Sequence, residues 1–228
     1  VIGAALIVVG IALAVVPTLL LEIADEQADR IHRAEVAGWS QAHESSVTAT
    51  NIPATAITPG PEGYFLEIPK IGVRAVVHEL EPDVFSGQNT PMLRRYGVGQ
   101  VPFTPELGNV SPGAEGTAVI TGHRTTSGAP FRHIDRLVPG DLIIVRKGEL
   151  EQRWAVVSSA TVGPDQLEAI RSLRSTRRLA VLACTPPFSD KARLIVYAEL
   201  SADIHKARTV PRTISAGGFG SIRGGDVK

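Results

Sequence analysis

Arg177–Glu199, RRLAVLACTPPFSDKARLIVYAE, holds the only cysteine of the 228-residue chain and delivers an arginine nine residues after it. Leu179 to Cys184 is a short apolar run with Arg177-Arg178 before it and Pro186-Pro187 after it, which predicts a buried strand ending at the cysteine. Arg193 to Leu200 predicts a second strand, with Leu194, Val196 and Ala198 alternating against Ile195, Tyr197 and Glu199. Proline has no amide hydrogen and a fixed φ, so the segment between the two strands, Thr185 to Ala192, is expected to be a loop. Cys184 is therefore expected at a strand end, under a loop that arches to Arg193, where scaffolds expose reactive groups.

A single cysteine cannot form a disulfide within the chain. Taken alone, a free cysteine is more often an inert core residue than a nucleophile. A thiol that does chemistry needs a proton acceptor, and histidine is the usual partner because its pKa lies near neutrality. Of six histidines, only His123 follows a predicted buried strand, Thr117 to Gly122, TAVITG. His32 and His43 fall in the N-terminal region, His78 in a half-exposed strand, His133 on the polar side of a predicted helix and His205 at the domain's end. Arg193, at the start of the strand after the cysteine loop, could stabilise an oxyanion, or could merely pair with Asp190 or Asp141.

The remaining strands follow from the same patterns. Tyr64 to Leu80 predicts two strands broken at Pro69-Lys70-Ile71-Gly72. Leu142 to Arg146 and Gln152 to Val162 predict two more. Pro130 to Leu137, with Phe131, Ile134 and Leu137 on one face, and Gln166 to Leu173 predict short helices. Glu81 to Gly113, rich in Pro, Gly and Asn, reads as a long irregular connection, which is either functional or the sign of a missed element. Seven or eight strands with two short helices point to a closed or nearly closed barrel, a mainly β fold.

Composition limits the function. Lys plus Arg and Asp plus Glu number 23 each, and aromatics are 5% of residues, so neither a basic field nor a stacking surface favours nucleic acid. One cysteine and scattered histidines offer no ligand spacing of the kind a metal requires, and no cofactor is expected. Val1 to Leu21 carries no charge and is long enough, as a helix, to span about 30 Å, a bilayer core. It predicts a transmembrane signal anchor, residues 1–21, with the folded part outside the cytoplasm. Residues 22–63 predict a juxtamembrane stalk and linker that lets the domain reach away from the bilayer. A catalytic domain is expected over 64–205, then a polar, basic, disordered tail over 206–228.

The order His, Cys, Arg at strand ends in an exported domain resembles the sortases, the membrane-anchored cysteine transpeptidases of Gram-positive bacteria. The matching residues are TGHR at Thr121 to Arg124, Cys184 followed by Thr185-Pro186, and RLIV at Arg193 to Val196. LEIPKIGV from Leu66 and PFRHIDRLVPGD from Pro130 support them, and the likeness covers Tyr64 to Leu200. It implies an eight-stranded sortase β-barrel with Cys184 as nucleophile, His123 as general acid and base, and Arg193 as stabiliser of substrate and oxyanion. Thr185, Arg124 and Thr121 are expected to bind substrate, and Phe188 to wall the groove.

The resemblance further implies cleavage after Thr in an LPXTG- or LAXTG-like sorting signal on a surface or pilin protein. The acyl group would pass to an amine of a peptidoglycan precursor or a pilin. Within the family, YGVGQVPFTPELGNVSPGAEGTAVITGHRT looks like the actinobacterial class E pattern, with Gln100-Val101 where that pattern usually carries His-Tyr. Ala180, Val181 and Ala183 depart from the common TLTTC, which removes the hydroxyl beside Cys184. Two other functions fit parts of the sequence: an L,D-transpeptidase-like thiol enzyme of the cell wall, and a non-catalytic, membrane-tethered β-barrel binding module.

Overall fold

The structure is a computed structural model that describes residues 2–43, 50–51, 56–81, 91–105, 107–148, 150–171 and 176–201. The tail expected over 206–228 lies outside the described residues.

The strands are β1 (Thr50–Asn51), β2 (Tyr64–Ile68), β3 (Val73–Glu79), β4 (Val98–Gln100), β5 (Gly116–Gly122), β6 (Leu142–Lys147), β7 (Leu150–Val162), β8 (Arg177–Thr185) and β9 (Ala192–Leu200). They form one sheet in the order β1-β7-β6-β2-β3-β4-β5-β8-β9, and a further pairing of β7 with β9 closes it. Apart from the two-residue β1 at its margin, this is the expected eight-stranded barrel. Most neighbours are antiparallel, but β5 and β8 run parallel. Their chain order reverses neither end, so both deliver their C-terminal residues to the same rim.

Strand alternation sorts side chains between two apolar clusters. Inside the barrel, Ile120, Val181, Ala183 and Val196 join Leu66, Trp154 and Phe131 in the main core. On the outer face of the same strands, Val119, Ala180, Leu182 and Ile195 pack with Val101, Leu107 and Ile170 in a smaller one. Phe131, Ile134 and Leu137, expected on one helix face, are all buried. They arrive there on consecutive turns ending in a 3-10 turn, Ile134–Arg136, rather than on an α-helix. The second expected helix is likewise a 3-10 turn, Leu167–Ile170, with residues 172–175 outside the described set.

The long connection after β3 hid two elements, helix α2 (Pro91–Tyr96) and β4. Three residues are too few for a periodic signal, and the middle one, Gly99, is selected by packing: a Cβ there would lie 2.3 Å from Leu80 Cδ2. Residues 82–90 of that connection lie outside the described set.

Helix α1 (Ile2–His43) runs through the uncharged segment and on through the expected stalk. Among the described residues no helix is long and apolar enough to cross a membrane, the side chains of residues 1–15 lying outside that set. The second half of α1 rests on the barrel. Trp39 stacks on Phe65 with ring centroids 4.4 Å apart. His32 Nε2 donates to the Arg74 carbonyl at 2.8 Å, and Arg74 Nη2 donates to Ser40 Oγ at 3.2 Å. The linker region is also partly built in, since Ile57 is buried in the core and its N–H donates to the Pro112 carbonyl.

Candidate active site

The parallel register of β5 and β8 ends at the pair Thr121 and Leu182. His123 and Cys184 each stand two residues further on. The ladder therefore carries the chain at both positions to one rim. β8 and β9 are antiparallel and pair Cys184 directly with Arg193. The backbone positions of His123, one residue past β5, and of Cys184 and Arg193 on β8 and β9 thus lie in a row along one rim. On β9 the Arg193 side chain borders Leu182 and Ile195 of the smaller apolar cluster.

Cys184 is free and half-buried. Its strand gains one residue over the sequence expectation at each end of the hairpin, because Thr185 pairs with Ala192. That closing pair fixes Cys184 and Arg193 at the base of the loop.

His123 lies just past the end of β5 and is held by its backbone: its N–H donates to the Gly97 carbonyl at 2.8 Å, and its carbonyl accepts from Phe131 N–H at 3.0 Å. Gly122 before it is required by contact, since a Cβ there would stand 2.6 Å from the Phe131 ring. The imidazole Nε2 is buried and has no hydrogen-bond partner among the described residues. Buried polar atoms are nearly always paired, so an unpaired one at this position is available for a proton from a thiol or to a leaving group. Burial holds the ring pKa below its ordinary 6.5; the Asp25 carboxylate acts against that shift and the Arg94 guanidinium with it.

Among the described residues the Arg193 guanidinium is engaged through Nη1, which donates to the carbonyls of Asp190 at 2.7 Å and Ala192 at 3.2 Å. Those bonds aim the group without neutralising it, and its other N–H donors are left for an incoming oxygen. The pairing with Asp190 or Asp141 considered from the sequence is absent: Asp190 contributes its carbonyl, and Asp141 pairs with Lys70.

Of the expected substrate-binding residues, Arg124 is only 5% exposed. Its guanidinium is committed to Thr185 Oγ1 at 2.9 Å, to the Arg132 carbonyl and to the Asp135 carboxylate at 2.9 Å. It braces the residue after the histidine to the residue after the cysteine, with Nε, Nη1 and Nη2 each holding one of these partners. Thr185 is the brace's other end and Thr121 is buried on β5. Phe188 stands 84% exposed at the loop tip.

A crevice that the sequence did not reveal begins beside Arg193. Leu182, Ile195, Val162, Pro164 and Ile170 line it. The signal was present in the outward positions of the strands, Leu182 and Ile195 being apolar where an open face would be polar. What covers them, the β7–β8 connection with Ile170, could not be placed from periodicity.

A family model described as the sortase domain matches residues 66–201. Sortase SrtE1 of Streptomyces coelicolor is 27% identical over 165 residues, 67% of this chain, and the chain spans 44% of that relative's length. The crystal structure of sortase E1 from Streptomyces coelicolor with tripeptide in the active site is 25% identical, with a TM-score of 0.51 over 66% of this chain and 91% of that one. Sortase C1 of Streptococcus agalactiae has the same fold, with a TM-score of 0.51 at 20% identity over 77% of this chain and 90% of that one.

Proposed function

Since the chain belongs to the sortase family, we propose that it is a cysteine transpeptidase acting on sorting-signal proteins, most akin to the class E enzymes. The observation that carries this reading is the single row of His123, Cys184 and Arg193 set by the β5–β8–β9 register.

The chemistry follows from the row. His123 takes the Cys184 proton as the sulfur attacks the carbonyl of the signal's threonine. Negative charge develops on that carbonyl oxygen, and the free donors of Arg193 meet it. The C–N bond after threonine breaks, the leaving amine takes the proton from His123, and a thioester remains on Cys184. An incoming amine then attacks the thioester, gives its proton through His123 to the departing sulfur, and an amide forms. Ala183 supplies no hydroxyl beside Cys184, so Arg193 carries more of the oxyanion's stabilisation than in a chain with threonine there.

The substrates are proteins bearing an LPXTG- or LAXTG-like signal, and the acceptor is an amine of a peptidoglycan precursor or a pilin. The signal's aliphatic residues pack at Leu182, Ile195 and Val162 once that crevice, about 10 Å³ as it stands, widens around them. The uncharged half of α1 is the single-pass anchor, with the catalytic domain outside the cell. Supporting this are the helix through Ile2–His43 and the absence of charge before Glu22.

The test mixes the purified chain with LPXTG-type and LAXTG-type peptides and triglycine, read by mass spectrometry. A thioester adduct on Cys184, a transfer product, and neither with Cys184→Ala are the expected results. A thiol that alkylates readily yet is acylated by no such peptide would sink the substrate assignment.

A further inference from the structure

The segment that follows His123 has an unusual backbone. Ser127, Gly128 and Ala129 occupy φ of 52°, 74° and 46°, three successive left-handed residues of which two carry a Cβ. L-residues with side chains avoid that region, and they avoid consecutive occupancy of it most of all. The turn is closed by the Ala129 N–H donating to the Thr126 carbonyl at 2.8 Å, and Phe131 then bonds back to the His123 carbonyl. The catalytic histidine is thus the root of a small loop with a disfavoured turn at its tip.

A hydrogen bond from α1 meets that tip. The Ser127 N–H donates to Asp25 Oδ1 at 2.6 Å, across 102 residues of sequence. Asp25 sits on α1, and α1 is seated independently by Trp39 on Phe65 and His32 on the Arg74 carbonyl, so the carboxylate arrives on a fixed element. A charged acceptor on a backbone N–H is among the stronger hydrogen bonds available.

We propose that Asp25 is a positioning residue for His123: its carboxylate, delivered by α1, holds the left-handed turn that closes the catalytic loop and so sets the imidazole in the row. The N-terminal helix then completes the active site as well as leading into it. The proposal rests on the assignment of His123 as acid and base.

The charge matters as well as the bond. The charged groups that act on the imidazole are the Asp25 carboxylate from α1 and the Arg94 guanidinium from α2, while Cys184 and Arg193 pair with each other along the same rim. Arg124, next in the chain, is paired with Asp135 and Thr185. Asp25 is the acidic one that acts to favour the imidazolium.

Asp25→Asn keeps a hydrogen-bond acceptor and removes the charge; Asp25→Ala removes both. Glu26→Gln, which loses only an exposed i,i+4 pair with Arg30, is the control on the same turn. Two measurements apply: the His123 titration followed by NMR in a Cys184→Ala background, and the pH profile of peptide acylation in the active chain. The expected results are a His123 midpoint moved to lower pH in Asp25→Asn, a matching shift of the acylation profile, and kcat reduced about tenfold or more in Asp25→Ala with little change in KM. Asp25→Glu should recover part of the activity, and Glu26→Gln should behave as wild type. If wild type acylates but His123 titrates identically in Asp25→Asn, or if kcat falls only in step with lost folded protein, the proposal is overturned. If wild type itself is never acylated, it is the transpeptidase assignment that fails.

Discussion

Two halves of the active site are built by different means. Cys184 and Arg193 stand opposite each other on a continuous antiparallel ladder that runs from Arg178–Glu199 to Thr185–Ala192. His123 has left its ladder, and its place depends on Gly97, Phe131, the Arg124 brace and the turn that touches Asp25. A ladder fixes spacing through many equivalent bonds between neighbours in sequence. A braced loop fixes it through a few particular side chains gathered from distant segments. The first kind of construction tolerates side-chain change, and the second does not.

The contrast is sharpest if each half is broken at its polar centre. Arg193→Ala removes oxyanion donors without touching the ladder. It should lower kcat for peptide acylation by roughly a hundred- to a thousandfold, about 3–4 kcal/mol of transition-state stabilisation, with an unchanged denaturation midpoint. Equal loss of stability would mean that Arg193 is structural, and that the ladder half is not the chemical half.

Arg124→Met attacks the other half. It removes a buried guanidinium whose partners are Thr185 Oγ1, the Arg132 carbonyl and a carboxylate that is 53% exposed. The exposed carboxylate can turn to water, so the cost should stay at about 2 kcal/mol, read by denaturant unfolding. Activity should fall with it, because His123 and Cys184 lose the strut between their loops. A variant that keeps full stability but loses peptide binding alone would return Arg124 to the substrate-contact role first expected for it.

The smallest effect is on acid stability. Burial holds the His123 pKa below 6.5 in the folded chain, so protonation favours the unfolded state. The contribution of the neutral ring is fully present above the unfolded pKa and is lost as pH falls from there to the folded value. Melting temperatures followed downward from pH 7 should therefore decline less steeply in His123→Gln than in wild type. Parallel declines would place the ring in a more solvated setting than the braced loop provides.

The ladder half is also the half that could be read from the sequence. Apolar alternation gave β8 and β9, and Pro186-Pro187 gave the break between them; β5 followed from TAVITG. The outer position of Cys184 follows from its even spacing to Leu182. The braced half was not legible because its causes are not local. Nothing in HRTTSGAP announces a left-handed turn at Ser127 and Ala129, or that its N–H would find a carboxylate near the beginning of the chain. Arg124 carries the same lesson, since a cation in a motif looks exposed until the Asp135 and Thr185 that bury it are brought near. β4 was missed for a related reason, since Gly99 is chosen by Leu80 packing against it and not by any strand pattern.

The seating of α1 also sets a depth. Asp25 lies four residues after Leu21, the last of the uncharged run, a helical rise of about 6 Å. With that run in a bilayer as proposed, the loop that touches Asp25 would be held at the level of the lipid headgroups. An enzyme so placed meets polypeptides at the point where they emerge from the membrane. Its selectivity would then include a ruler: a sorting signal set well away from its own membrane-embedded segment would pass out of reach, however well its side chains matched the crevice.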